Sequence, residues 1–149
     1  MWTEKKSIFL SKVFVIIFLL AVITCMILAP GIIDWVISSS YSARLAGKIP
    51  FLLTTYAGGV AAAALLGFLY VLLRRIGAGR VFIEENTASL RYISWFCFIG
   101  AAISAASAIY YLPWIAVGIA AGFMGLVARV IKNVFAGAVA LQNDAELTI

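Results

Sequence analysis

Residues 51–73 read FLLTTYAGGVAAAALLGFLYVLL and are followed at once by Arg74-Arg75. No Asp, Glu, Lys or Arg interrupts the run. Its length matches the roughly 20 residues a helix needs to cross a hydrocarbon layer ~30 Å thick. A charge at the centre of such a segment costs about 2.5–3.5 kcal/mol on the insertion scale, so its absence is what a spanning helix requires. Three further apolar runs lie on either side, one from Lys12 to Ala29 that continues past a break at Pro30-Gly31 to Ile37 (12–37), and two over residues 92–109 and 112–128. The chain therefore reads as all-α: an integral membrane four-helix bundle forming one transmembrane domain over residues 1–149. Glu4-Lys5-Lys6 ahead of the first run also resembles a secretory signal. That apolar core, however, exceeds the ~7–15 residues of a signal h-region, and no small-x-small cleavage site precedes Pro30. It reads as a retained helix.

Composition leads to the same place. Of 149 residues, 65% are hydrophobic and 11% charged, against roughly 45–50% and about 25% in soluble domains. A soluble fold with so little charge would leave large apolar patches in water, so the excess faces lipid. The net charge of +5 raises nucleic acid as a partner, but that needs Lys and Arg clustered on a water-exposed element. Here they sit in short runs beside apolar segments, which suits anionic headgroups, and no direct nucleic-acid binding is expected. There is no His, and Cys25 and Cys97 both lie inside apolar runs, so neither a disulfide framework nor a Cys/His metal site is expected. All the carboxylates (Glu4, Asp34, Glu84, Glu85, Asp144, Glu146) fall in loops or tails. Without a base in reach of a Ser or Cys nucleophile, enzymatic chemistry has no foothold. No catalytic, cofactor or metal residues are assigned.

Basic residues set the orientation. With the N-terminus inside, the inner side holds Lys5, Lys6, Lys12, Arg74, Arg75, Arg80, Arg91, Arg129 and Lys132, and the outer side holds Arg44 and Lys48. The positive-inside rule then puts both termini in the cytoplasm. Trp35, Tyr110, Tyr111 and Trp114 mark the outer boundary, Tyr92 and Trp95 the inner one.

The connections are unequal. Tyr110 to Trp114 forms a tight outer turn, while the outer stretch 34–50 is longer and irregular or partly helical. Inside, Gly77 and Gly79 can end the second span through a left-handed cap. Glu84-Glu85 sit where the next helix begins, favourably against its N-terminal dipole. Counted from Ile83 to Ile109, that third helix reaches ~40 Å and protrudes into the cytoplasm. Beyond Arg129, apolar residues recur at Val130, Ile131, Val134, Phe135, Ala138 and Leu141, the spacing of one helical face. The fourth helix is therefore expected to continue as an amphipathic cytoplasmic extension over 129–142, before a polar tail at 143–149. Together these extensions give the candidate partner-docking residues: Phe82, Glu84, Glu85, Asn86, Leu90, Arg91, Ile131, Val134 and Phe135. The alternative reading of the same stripe is an inner collar packed on the bundle, with Phe82 and Leu90 buried, Asn86 bonding a neighbouring backbone and Arg91 snorkelling.

Small residues recur at spacings of four. Gly59, Ala63 and Gly67 on the second span, and Gly118 and Gly122 on the fourth, are the candidate helix-packing positions, since small residues let backbones approach in lipid. They serve either packing within one bundle or a homo-oligomer interface. The intramembrane hydroxyls Thr54, Thr55, Ser104 and Ser107 leave a second function open: a small transport or channel subunit with a hydrated path. Ion-coupled carriers, though, usually place an ionisable residue in the span, and here there is none.

Residues 79–86 (GRVFIEEN) and 90–95 (LRYISW), with Glu4-Lys5-Lys6-Ser7, 130–135 (VIKNVF) and the ending Leu147-Thr148-Ile149, resemble domain-of-unknown-function family 2975 (DUF2975). The resemblance implies a small four-span protein of the bacterial cell membrane, with no agreed activity and no catalytic residues to carry over. Such proteins are often encoded beside a small Cro/CI-type helix-turn-helix regulator. The resemblance thus implies a regulatory or interaction protein that holds a cytoplasmic DNA-binding partner. The tail Asn143-Asp144-Ala145-Glu146-Leu147 departs from the family's more compact ending.

Overall fold

The computed structural model describes residues 3–148. In chain order they form α1 (Glu4–Ser39), α2 (Tyr41–Ala46), α3 (Lys48–Gly77), α4 (Glu84–Ser107) and α5 (Trp114–Thr148), with no strand among the described residues. All but α2 are long and apolar enough to cross a membrane. Each apolar run thus corresponds to one long apolar helix, and each of these helices outruns its run at one end or both.

Three boundaries differ from expectation. α1 runs unbroken through Pro30. Proline inside a spanning helix removes a backbone hydrogen bond, yet it is tolerated there because neighbouring groups and small adjustments absorb the loss. α4 stops at Ser107 rather than Ile109, and the Ser107 carbonyl accepts from the amides of Tyr110 (3.2 Å) and Tyr111 (3.1 Å) in the turn that follows. α5 does not end before a polar tail but continues through Thr148, whose hydroxyl donates to the Asp144 carbonyl at 2.6 Å. Ile149 lies outside the described residues. With 35 residues, α5 is about 52 Å long, well beyond a ~30 Å hydrocarbon core.

The turn between α3 and α4 is built as the glycines predict. Gly79 has φ +82°, the left-handed conformation that only glycine adopts at little cost. The Gly79 amide donates to the Ile76 carbonyl (3.0 Å) and the Arg80 amide to the Arg75 carbonyl (3.0 Å), the paired bonds of a Schellman cap. At the other end, Ala29 and Ile33 of α1, Ala43 of α2 and Phe51 of α3 form one buried cluster, with Tyr110 and Tyr111 against it. Phe51 meets Tyr110 edge-on at 5.0 Å between ring centres. The short α2 folds over the helix ends by burying Ala43 completely.

The spans pack in chain order: α1 on α3, α3 on α4, and α4 on α5. Among the described residues no extensive interface joins α1 to α5, so the bundle is open along one side. Ile8 and Lys12 of α1 lie against Gly77 at the end of α3. Both chain ends and the α3–α4 turn therefore share one end of the molecule.

Candidate functional site

The end of the molecule that holds the α3–α4 turn carries the proposed docking residues, and the structure divides them into two groups. Residues 80–83 link the α3 cap to α4 outside any helix, so the Arg80 and Val81 carbonyls have no helical partner. Asn86, on the first turn of α4, supplies one. Its Nδ2 donates to Arg80 O at 2.7 Å and Val81 O at 2.8 Å. The side chain is 0% exposed, and its Oδ1 is buried with no hydrogen-bond partner. Asn86 is therefore a clasp on the turn rather than part of an open face. Leu90, one helical stripe further on, is equally internal: it belongs to a core cluster with Leu72, Ile93, Cys97 and Ala128. Phe135 packs against that cluster and meets Phe82 edge-on at 5.5 Å.

Glu84, Glu85, Arg91, Ile131 and Val134 remain outward. Arg75 braces this end from α3, its Nη1 donating to the Glu85 carbonyl and to Ser89 Oγ, each at 3.1 Å. Among the described residues the ion pair formed is Lys48–Asp34, 2.7 Å, at the opposite end. Glu84 and Arg91 thus present charges with no ionic partner.

Between α4 and the projecting half of α5 lies a cleft of about 430 Å³. Glu84, Thr87, Ala88 and Arg91 line one wall, and Ala136, Val139, Ala140 and Asn143 the other. Thr87 Oγ1 is buried there without a partner. Both walls follow one helical stripe (i, i+3, i+4, i+7) with alanines at the centre, so small residues hold the helices apart by little and leave a floor. Sequence reasoning finds Glu84 and Arg91 but misses the other six. The periodicity was present in both stripes, but alanine marks neither burial nor exposure in a chain this apolar. The apolar face expected over Val130–Leu141 is largely open: Val134 is 63% and Leu141 72% exposed, whereas Val139, outside that stripe, is 8% exposed.

The small-residue positions separate likewise. A Cβ on Gly118 would stand 3.3 Å from the Ala101 carbonyl oxygen and 3.4 Å from the Ala105 amide, so α5 and α4 approach backbone to backbone. One on Gly122 would meet Ala101 Cβ at a looser 3.8 Å, and one on Gly125 the Phe98 ring at 3.0 Å. Ser94 Oγ donates to the Gly125 carbonyl at 3.0 Å, tying the same two helices. A Cβ on Gly59 would stand 2.7 Å from Sδ of the flexible Met26 side chain of α1. Ala63 is half-buried, and Gly67 is exposed with open space around it.

The intramembrane hydroxyls are largely committed to each other. Thr54 and Ser107 are both buried and lie 2.6 Å apart, with Tyr110 Oη 2.6 Å from Thr54 Oγ1. Ser107 also lies 2.8 Å from the Ile103 carbonyl. Tyr110 Oη also donates toward the Pro50 carbonyl at 3.2 Å, so the three hydroxyl protons are shared among four contacts. Ser104 is buried beside them, while Thr55 is half-buried.

Four long apolar helices with a lipid-suited exterior define a multi-pass helical membrane protein. It belongs to the family described as "Protein of unknown function (DUF2975)", whose sequence model matches residues 36–149. That match covers the inner-segment motif and all of α2 to α5, but leaves out the opening Glu4-Lys5-Lys6-Ser7 and most of α1. No curated protein and no solved structure matches the chain.

Proposed function

We propose that this protein is a non-enzymatic membrane adaptor that docks a cytoplasmic partner at the end carrying the α4–α5 cleft. The observation that carries this reading is the projecting half of α5. Counting ~30 Å inward from Trp114 at 1.5 Å per residue brings the hydrocarbon boundary to about Val134. The helix beyond it exposes Leu141 next to a cleft flanked by unpaired Glu84 and Arg91. Large apolar side chains held outside the bilayer beside uncompensated charge are the composition of a recognition surface. The basic bias toward this end supports a cytoplasmic orientation with both termini inside, in the cell membrane of a bacterium. A helix-turn-helix regulator, the partner the family resemblance implies, is the occupant to test first. The transport reading has less support, because Thr54 and Ser107 are engaged with each other.

The experiment is co-purification of the detergent-solubilised chain with the regulator encoded beside it. Wild type should retain the regulator, and Leu141→Glu combined with Arg91→Glu should lose it. Both positions are exposed, so thermal unfolding of the double variant should stay within ~0.5 kcal/mol of wild type. Absence of a complex with wild type would sink the proposal. Orientation is read separately: a cysteine at Arg44 should react with a membrane-impermeant maleimide in intact cells, and one at Asp144 should not.

A further inference from the structure

The cleft between α4 and α5 has a charge order as well as a shape. Glu84 and Arg91 line one wall, about 10.5 Å apart along the helix. Both side chains are exposed, and among the described residues neither has an ionic partner. Ala88 lies between them, with Ala136 and Ala140 on the facing wall. The acid is thus at the tip of the molecule and the base toward the bilayer, with a floor of small side chains between. The antiparallel α5 repeats this order. Asp144 follows Asn143, the lining residue level with Glu84, and Lys132 lies one turn from Ala136, the lining residue level with Arg91.

This order restricts what can cover the cleft. Copies of one chain in a membrane are related by an axis along its normal, so a second copy brings like residues to like levels. Its α5 would set Asp144 against Glu84 and Lys132 near Arg91, and like charges brought together repel at both ends. An extended segment matches poorly for a different reason. Side chains on one face of a strand recur every ~6.7 Å, so one step falls short of the spacing between the two charges and two steps overshoot it. Positions i and i+7 of a helix share a face and stand about 10.5 Å apart, the spacing of the wall itself. Resting on the reading of this end as a docking site, we propose that the cleft takes a helical segment of the cytoplasmic partner. That segment carries a Lys or Arg against Glu84 and, seven residues away, an Asp or Glu against Arg91. The side chains between them lie over Ala88, Ala136 and Ala140.

The test uses the full chain in nanodiscs and the purified regulator encoded beside it, with Kd read by titration. Glu84→Lys should weaken binding by roughly tenfold, a factor equal to about 1.4 kcal/mol. Glu85→Lys makes the same change of charge one residue away, at an exposed position outside the cleft lining, and should leave Kd unchanged. Exchanging the two charges, Glu84→Arg together with Arg91→Glu, keeps the net charge and reverses the order, and should bind more weakly than Glu84→Lys. If the wild type does not bind, the docking reading falls and this inference with it. If the wild type binds while Glu84→Lys and Glu85→Lys behave alike, docking stands and the assigned segment is overturned. Wild-type affinity in the exchanged variant overturns it in the same way. A two-chain species in native mass spectrometry that Glu84→Lys disperses would put a second copy in the cleft, and that too would overturn the proposal.

Discussion

The two ends of the helix order are held together by different means. Between α4 and α5, Gly118 lets backbone meet backbone, and Ser94 adds a hydrogen bond to the Gly125 carbonyl. Between α1 and α3, the nearest approach at Gly59 is to a methionine side chain that can swing aside. Water drives neither contact, because lipid tails are as apolar as the side chains they would replace. What remains is packing, and packing against a fixed backbone specifies a geometry that packing against methionine does not. The α4–α5 pair is therefore the rigid unit of this protein and α1 its adjustable wall.

That contrast can be broken most forcefully at Gly118. Gly118→Leu forces a side chain into the Ala101–Ala105 backbone and should cost about 3 kcal/mol, the upper part of the overpacking range, measured by thermal unfolding in detergent. A smaller effect is expected of Ser94→Ala, about 0.6 kcal/mol, the average for interhelical hydrogen bonds in membranes. It should appear in the same assay as a modest shift and in hydrogen exchange as faster opening of α5. The least is expected of Gly59→Ala: Met26 yields, and stability changes by less than ~0.5 kcal/mol. If Gly59→Ala proves as damaging as Gly118→Leu, the two interfaces are alike and the distinction fails.

The spans themselves were legible because charge is excluded from them, and residues 51–73 alone carry that message. The turn at Gly79 was legible for an equally local reason. The open side of the bundle was not. In a soluble helix an apolar stripe marks the buried face, but in lipid the same residues suit either face. Val134 and Leu141 belong to one apolar face that the periodicity leaves free to pack or to stand open; they stand exposed, while Val139, outside that face, is buried. The same ambiguity hid the cleft, since Ala88, Ala136 and Ala140 fit any environment. Asn86 drew attention as a polar residue in an apolar setting, and it is important, but as the clasp on residues 80–81 rather than as a contact for a partner.

Pro30 carries one more consequence. Lacking an amide hydrogen, it cannot bond the carbonyl of Met26, four residues earlier in α1. Met26 is also the residue that lies over Gly59. The ladder of α1 thus lacks a rung at the height where it touches its neighbour. Bending the helix there has one backbone bond fewer to break than bending it elsewhere, so the cheapest hinge of α1 lies level with its contact on α3.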